Sequence, residues 1–366
     1  MSELRRDPIT KRWVIMAPGR TNRPHHFKKE TKSANAAASC PFCPGNEDKT
    51  PPEIRPVRNP ANCSGWQIRV VPNKFNAVGI DSPLKTQPLG ICLTMTGYGA
   101  HEVIIESPNH DVLFEDQPIE HLMLILSTFK ERLIDLYKNQ AMKQVIIFKN
   151  HGAEAGASIT HPHSQVIALP IAPIHQKEEL KGAKEYYGKE RSCIWCDIIR
   201  QELFMNIEIF DEAGNKIKAD PPKERLVWEN QSFLALCPFA SRFPYEIHLL
   251  PKRHSHYFGN MGDGENSHEI KDLAEIFKIT IKKLNAALKD IYPDSVPFNF
   301  VLHTSPNLNF KENSDKFKTI KSDFHWHFEL YPVLSAMAGF EKGSGFYINV
   351  VPPEEAARKL REAAIE

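Results

Sequence analysis

One pattern in this 366-residue chain constrains its architecture more than any other. A Cys-x-x-Cys pair is followed, far downstream, by a His-x-His pair, and the same order then occurs a second time. Cys40-Pro41-Phe42-Cys43 precedes His161-Pro162-His163, with 121 positions from Cys40 to His161. Cys193-Ile194-Trp195-Cys196 precedes His325-Trp326-His327, with 132 positions from Cys193 to His325. The parts between them recur as well. In the first half the strand-like Ile68-Arg69-Val70-Val71 leads to the apolar run Val103-Ile104-Ile105. A helix is predicted over 119–137, with Leu122, Ile125, Phe129, Leu133 and Leu136 at helical spacing, followed by a strand over 145–148. In the second half strands are predicted over 233–236 and 246–251. A helix over 268–291 carries Leu273, Phe277, Leu284 and Leu288, and a strand follows over 298–302. An internal duplication of about 150 residues accounts for this order. Each unit mixes strands with one long helix, which predicts an α+β fold on antiparallel sheet. The units are expected over 1–171 and 190–366, with the Lys/Glu-rich stretch 172–189 as a solvated linker or helix between them.

Charge narrows the function classes. Lysines and arginines number 46 against 45 acids, a formal charge of +1, which argues against holding nucleic acid by bulk electrostatics. No apolar run approaches the roughly 20 residues that span a bilayer, and residues 1–7 lack the apolar core of a signal peptide. A soluble, cytoplasmic protein without nucleic-acid or membrane partners is expected. The seven cysteines are odd in number and scattered, unlike a disulfide framework.

The paired cysteines point to metal. Two thiolates on one tight turn can both reach a tetrahedral zinc at about 2.3 Å. The repeated order supplies the other half of each site: His110 and His161 with Cys40 and Cys43, His254 and His325 with Cys193 and Cys196. Such Cys2His2 sets are closed structural sites with no open position for water. His248 and His256 compete with His254 as ligands. Small core thiols beside a loop histidine would explain one pair, but not the repetition. A thioredoxin-like redox role lacks its βαβ setting.

The chemistry concentrates in His161-Pro162-His163-Ser164-Gln165. Residues two apart on a strand share a face, so two imidazoles and an amide are aligned there. The preceding stretch 152–158 is small and contains glycine, which lets backbone approach phosphate oxygens closely. A neutral imidazole on His163 can attack an α-phosphorus when its other nitrogen is held by a backbone carbonyl. The Gln165 amide can donate to a non-bridging oxygen as charge develops. A sugar phosphate leaves without a strong general acid, so an amide at the last position suits transfer.

These residues resemble the galactose-1-phosphate uridylyltransferase branch of the histidine-triad superfamily, over nearly the whole chain. The resemblance implies two tandem histidine-triad units and a ping-pong nucleotidylyltransferase with His163 as nucleophile, Gln165 as its phosphate-stabilising partner and His161 as a zinc ligand. It implies phosphate contacts from Arg20 and Arg23, within Arg20-Thr21-Asn22-Arg23-Pro24, and nucleotide contacts from Asn73 and Asn150. Ser158 would sit near the leaving phosphoryl group. A homodimer is implied whose C-terminal segment completes the neighbour's site, with Glu341 of Gly339-Phe340-Glu341 on sugar hydroxyls. The substrates implied are a nucleotide sugar and a sugar 1-phosphate, with uridylyl exchange between UDP-glucose and galactose 1-phosphate as the leading reading. The family's lysine and glutamine on the sugar phosphate are replaced near Ser335 and Tyr347. The Cys193/Cys196 pair and Ser164 are closer to the ADP-glucose phosphorylase relatives, which move an adenylyl group from ADP-glucose to phosphate. A nucleotide hydrolase is disfavoured by Gln165 in place of a third histidine. A zinc-stabilised nucleotide-binding or nucleic-acid module without transfer activity is the reading from another class. The second unit, where His327 is followed by Phe328-Glu329, reads as scaffold.

Overall fold

The structure is a computed structural model that describes residues 2–18, 39–59, 62–81, 83–310 and 317–365. In chain order the first half contributes β1 (Glu3–Arg6), β2 (Trp13–Met16), β3 (Arg55–Asn59), β4 (Asn62–Pro72), β5 (Thr86–Leu89), β6 (Cys92–Met95), β7 (Ala100–Ile105), helix α1 (Ile119–Tyr137), β8 (Gln144–His151) and β9 (His163–Leu169). Helices α2 (Ile174–Glu190) and α3 (Ile194–Phe204) follow. The second half then adds β10 (Ile207–Phe210), β11 (Lys216–Asp220), β12 (Leu226–Glu229), β13 (Phe233–Leu236) and β14 (Ile247–Pro251). Helix α4 (Glu269–Ala287), β15 (Phe298–His303), α5 (Ile320–Asp323), β16 (His327–Pro332), α6 (Gly339–Ser344), β17 (Tyr347–Asn349) and α7 (Pro353–Glu362) complete it.

Ten of these strands form one antiparallel sheet in the order β12-β13-β14-β16-β15-β8-β9-β7-β4-β3. The duplication is visible in that order. Reading outward from the centre, β8-β9-β7-β4-β3 on one side mirrors β15-β16-β14-β13-β12 on the other. The halves meet where β8 pairs with β15, with Asn150 opposite Asn299 and Phe148 opposite Val301. The fold is α+β, as the alternation of strands with single long helices predicts.

Alternation along the strands separates the two faces. Ile68, Val70, Ile104, Val145, Ile147 and Val166 of the first half point into one core together with Phe298, Phe300, Leu302 and Phe328 of the second. Helices α1 and α4 cover this face side by side, inserting Leu122, Phe129, Leu273 and Phe277. Phe277 meets Phe300 and Phe328 with ring centroids 5.3 and 4.9 Å apart, so a single aromatic layer spans both halves. The opposite face carries His163 and Gln165. The stretch between the halves is mostly helix α2, because Leu180 and Ala183 bury against Ile194, Trp195 and Ile199 of α3. Chain ends are stitched together by β17 pairing in parallel with β2.

Candidate active site and metal centres

Cys40 and Cys43 lie on a buried turn below the sheet's open face, His110 follows β7, and His161 immediately precedes β9. Cys43 Sγ is 3.2 Å from His110 Nδ1 and 3.5 Å from His161 Nδ1, and the two Nδ1 atoms are 3.3 Å apart. All four ligand atoms lie within 4.8 Å of one another. A tetrahedral ion with metal–nitrogen arms of about 2.1 Å has N···N edges of about 3.4 Å, so the spacing suits one. The outer nitrogens are already engaged: His161 Nε2–H donates to the Ser107 carbonyl at 2.8 Å, and His110 Nε2 meets Thr160 Oγ1 at 3.2 Å. The Nδ1 lone pair of His161 is thereby turned to the centre. Burial and the facing Cys40 thiol push Cys43 up to about 11, and burial pulls His161 down to about 4. Crowded thiols beside neutral imidazoles are a donor set that a divalent cation relieves.

The second half repeats the arrangement. Cys193, Cys196, His254 and His325 form the corresponding group. Cys196 Sγ is 3.4 Å from His254 Nδ1, and the outer nitrogens of His254 and His325 donate to the carbonyls of Lys321 and Pro251 at 2.9 and 2.8 Å. The competing histidines are engaged elsewhere. His248 Nε2 is 3.2 Å from Glu246 Oε1, and His256 Nδ1 is 3.0 Å from Ser305 Oγ.

His163 opens β9, 7% exposed, with its ring edge-on to Phe42 of the first Cys-x-x-Cys turn at 5.4 Å. Its Nδ1–H donates to the His161 carbonyl at 2.8 Å, which leaves Nε2 with a free lone pair. Burial, and after it the Lys149 ammonium, hold the imidazole below its ordinary pKa and therefore neutral. Beneath the strand lies a buried network that the sequence did not reveal. Lys149 Nζ donates to the His163 carbonyl at 3.0 Å and to Glu106 Oε2 at 2.6 Å. Ser164 Oγ–H donates to Glu106 Oε1 at 2.5 Å. The backbone of β9 at His163 is therefore fixed from its core side, while the His163 side chain projects from the other.

Gln165 shares the open face, two residues along. Its Oε1 is 2.9 Å from His101 Nε2 and 3.5 Å from Asn73 Nδ2. Asn150 Oδ1 accepts from Asn299 Nδ2 at 2.8 Å, tying the first half's site to the second half's central strand. The 152–158 turn turns on glycine: Gly152 has φ +86°, and a Cβ there would lie 2.9 Å from Pro297 Cβ. Ser158 is exposed on this turn. Glu341 is half-buried on α6, where its carboxylate accepts from the Ala338 N–H at 3.2 Å, capping its own helix. Arg20 and Arg23 lie outside the described residues.

In the second half, strand register places His327 where His163 stands and Glu329 where Gln165 stands. Trp195 takes the place of Phe42, its ring 5.7 Å from that of His327. Here the face is filled with charge. Arg242 donates to Glu329 Oε2 at 2.8 Å, Tyr331 bonds the same carboxylate, and Glu179 of α2 faces His303 at 2.9 Å. Burial works against ionisation, but Arg242 and His303 hold Glu329 well below the usual carboxylate range. A fixed carboxylate at this position would repel a phosphoryl group. Glu179, His303, His327 and Glu329 also hold ligand atoms within 4.8 Å of one another.

The model described as the N-terminal domain of galactose-1-phosphate uridyl transferase matches residues 1–173, and that of its C-terminal domain matches residues 179–360. The chain belongs to this family. Among its relatives, an ADP-glucose phosphorylase of Arabidopsis thaliana is 34% identical over 99% of this chain and 93% of its own length. A galactose-1-phosphate uridylyltransferase of Thermotoga maritima is 28% identical over the full length of both. The crystal structure of an ADP-glucose phosphorylase from Arabidopsis thaliana with bound ADP-glucose superposes with a TM-score of 0.78 at 30% identity, covering both chains completely. A uridylyltransferase structure gives 0.69 at 27% identity, over 99% of this chain and 98% of the other. The family is one of nucleotidyltransferases, and this chain is an enzyme of that type.

Proposed function

We propose that the enzyme transfers a nucleotidyl group in two displacements through a covalent intermediate on His163. The observation that carries this reading is the 2.8 Å bond from His163 Nδ1–H to the His161 carbonyl, which leaves the Nε2 lone pair free for nucleophilic use. In the first step the Nε2 lone pair forms a bond to the α-phosphorus of a nucleotide sugar. The bond from that phosphorus to the bridging oxygen breaks, and the electron pair leaves with the hexose 1-phosphate. In the second, an acceptor phosphate oxygen attacks the same phosphorus and the P–N pair returns to Nε2. Gln165 donates to the transferring group, and Asn73, Asn150, Arg20, Arg23 and Ser158 would contact the nucleotide and phosphates. Zinc in the two Cys2His2 sets would supply structural cross-links, holding the His161 end of β9 without taking part in bond making.

The leading substrates are UDP-glucose and galactose 1-phosphate, as in the curated relatives that carry that activity. Adenylyl transfer from ADP-glucose to phosphate is the second reading. It is favoured by the relative at 34% identity and by Tyr347, which packs against Phe243 in the fold at 5.4 Å where a sugar-phosphate ligand is expected. A homodimer is part of the proposal, with Glu341 supplied to the neighbour's sugar. Each donor is mixed separately with the protein and digests are read by mass spectrometry. A UMP or AMP adduct on His163 supports the mechanism and names the base. His163→Gly, with its circular dichroism unchanged, is expected to form neither adduct. A labelled His163→Gly protein, or a folded wild type that neither donor labels, would overturn the reading.

A further inference from the structure

We propose that His101 is a positioning residue for this transfer: with Asn73 it grips the carbonyl oxygen of Gln165, so that the amide presents only its NH2 group to a phosphoryl oxygen. The inference rests on the covalent mechanism above for its purpose, but on hydrogen-bond logic for its content. The backbone N–H of Ala77 lies 3.1 Å from His101 Nδ1. A peptide N–H only donates, so Nδ1 is the acceptor and the ring proton of the neutral imidazole sits on Nε2. That Nε2–H is 2.9 Å from the Gln165 side chain and must find an acceptor there, which the amide offers only at Oε1. Asn73 is fixed in the same way. Its Oδ1 accepts from the Phe75 N–H at 2.9 Å, turning its NH2 towards the same Gln165 oxygen at 3.5 Å. The 3.1 Å approach of Asn73 Nδ2 to His101 Nε2 is thus two donors converging on one oxygen.

The consequence is chemical. An unheld glutamine amide can turn over and aim its oxygen lone pairs at an anionic phosphoryl group, losing the donor that a developing charge requires. With both acceptor directions engaged, Gln165 is set as a donor before substrate arrives. The grip is built where the chain leaves and re-enters the sheet. Asn73 follows β4, His101 lies in β7, and the Asn73 N–H donates to the His101 carbonyl at 2.8 Å.

The experiment follows adduct formation on His163 by rapid quench with UDP-glucose and ADP-glucose, and with the Rp and Sp α-phosphorothioates of each. His101→Leu is expected to slow adduct formation about tenfold or more while donor binding changes by no more than about twofold. It should also erase the preference between diastereomers, because Gln165 no longer selects one oxygen. His101→Gln, whose amide can donate from nearly the same place, should restore most of both. A folded His101→Leu enzyme with unchanged rate and unchanged diastereomer preference overturns the proposal. In the wild-type protein, long-range 1H–15N correlation on labelled histidine reads the ring directly. An Nε2–H ring is expected, and an Nδ1–H ring overturns the proposal whatever becomes of the transfer reaction or of the variants' folding. Absence of any adduct in wild type would count against the reaction, and the tautomer would still decide the grip.

Discussion

Lys149 looks like an ordinary lysine in sequence, yet the backbone of His163 rests on it. It is 2% exposed and its partner Glu106 is fully buried. Breaking such a pair leaves a carboxylate without compensation, typically a cost of about 3–5 kcal/mol. Lys149→Met is therefore expected to lose about that much stability in chemical denaturation. Lys149→Met combined with Glu106→Gln should recover much of it, and equal losses in single and double variants would contradict this account. Ser164→Ala, which removes one bond to the same carboxylate, is expected to cost about 1–3 kcal/mol. The clustering of the cysteines with their histidines was legible, and His163 and Gln165 stood out as candidates, because rare side chains at fixed spacing carry their own chemistry. Glu106, Lys149 and His101 were not, because their roles arise only once β7, β8 and β9 are in register. Nothing local distinguishes them from any polar residue at the end of a strand.

At the scale of elements, spacing alone was informative where one face is buried. The helix predicted over 119–137 is α1, and the one predicted to 291 ends earlier, at Ala287, where Leu288 leaves helical geometry with ψ 15°. The charged stretch 172–189 was ambiguous because α2 buries only a few positions, among them Glu179 and Leu180. The two Cys2His2 clusters were legible as a repeated order, and they make a prediction about elements rather than residues. Each site ties a Cys-x-x-Cys turn to the start of the His-x-His strand, so prolonged chelation should lower the unfolding midpoint and release two equivalents of zinc per chain. Chelation without any shift would argue that the sites bear no load. The terminal elements are held by charge instead. Glu354 of α7 bonds Arg5 of β1 at 2.7 Å and Arg225 at 3.0 Å. Burial raises its pKa, but Arg5 outweighs that and holds the carboxyl below its ordinary value. A depressed folded pKa means stability that is present above the unfolded value near 4.5 and lost as pH falls through the folded one. Wild type should lose stability more steeply below about pH 4.5 than Glu354→Gln, which should be less stable by about 2 kcal/mol at pH 7.

At the scale of the whole molecule, a stretch of the described residues leaves apolar surface that the rest of the chain does not cover. Between Asn73 and His101 the segment projects as the β5–β6 hairpin, whose eight strand residues are all exposed. Two-stranded hairpins alone are marginal in water. Phe75, Ile80, Leu89, Ile91 and Leu93 on this segment are each 65% exposed or more. Exposed apolar side chains gathered on one segment suit a protein partner. The segment grows from the rim of the active site, so a second copy seated there would lie close to His163, where the proposed dimer requires its neighbour's Glu341. The duplication was legible, but this surface was not, since exposure is set by what the fold leaves uncovered. Sedimentation of the wild type should therefore give a dimer, and Ile91→Asp with Leu93→Asp a folded monomer. In that monomer His163 should still carry its adduct slowly, while turnover of the sugar-bearing substrate falls with the loss of the partner's Glu341. A wild type that sediments as a monomer at micromolar concentration would remove the dimer from the mechanism and leave the hairpin as an unpartnered arm.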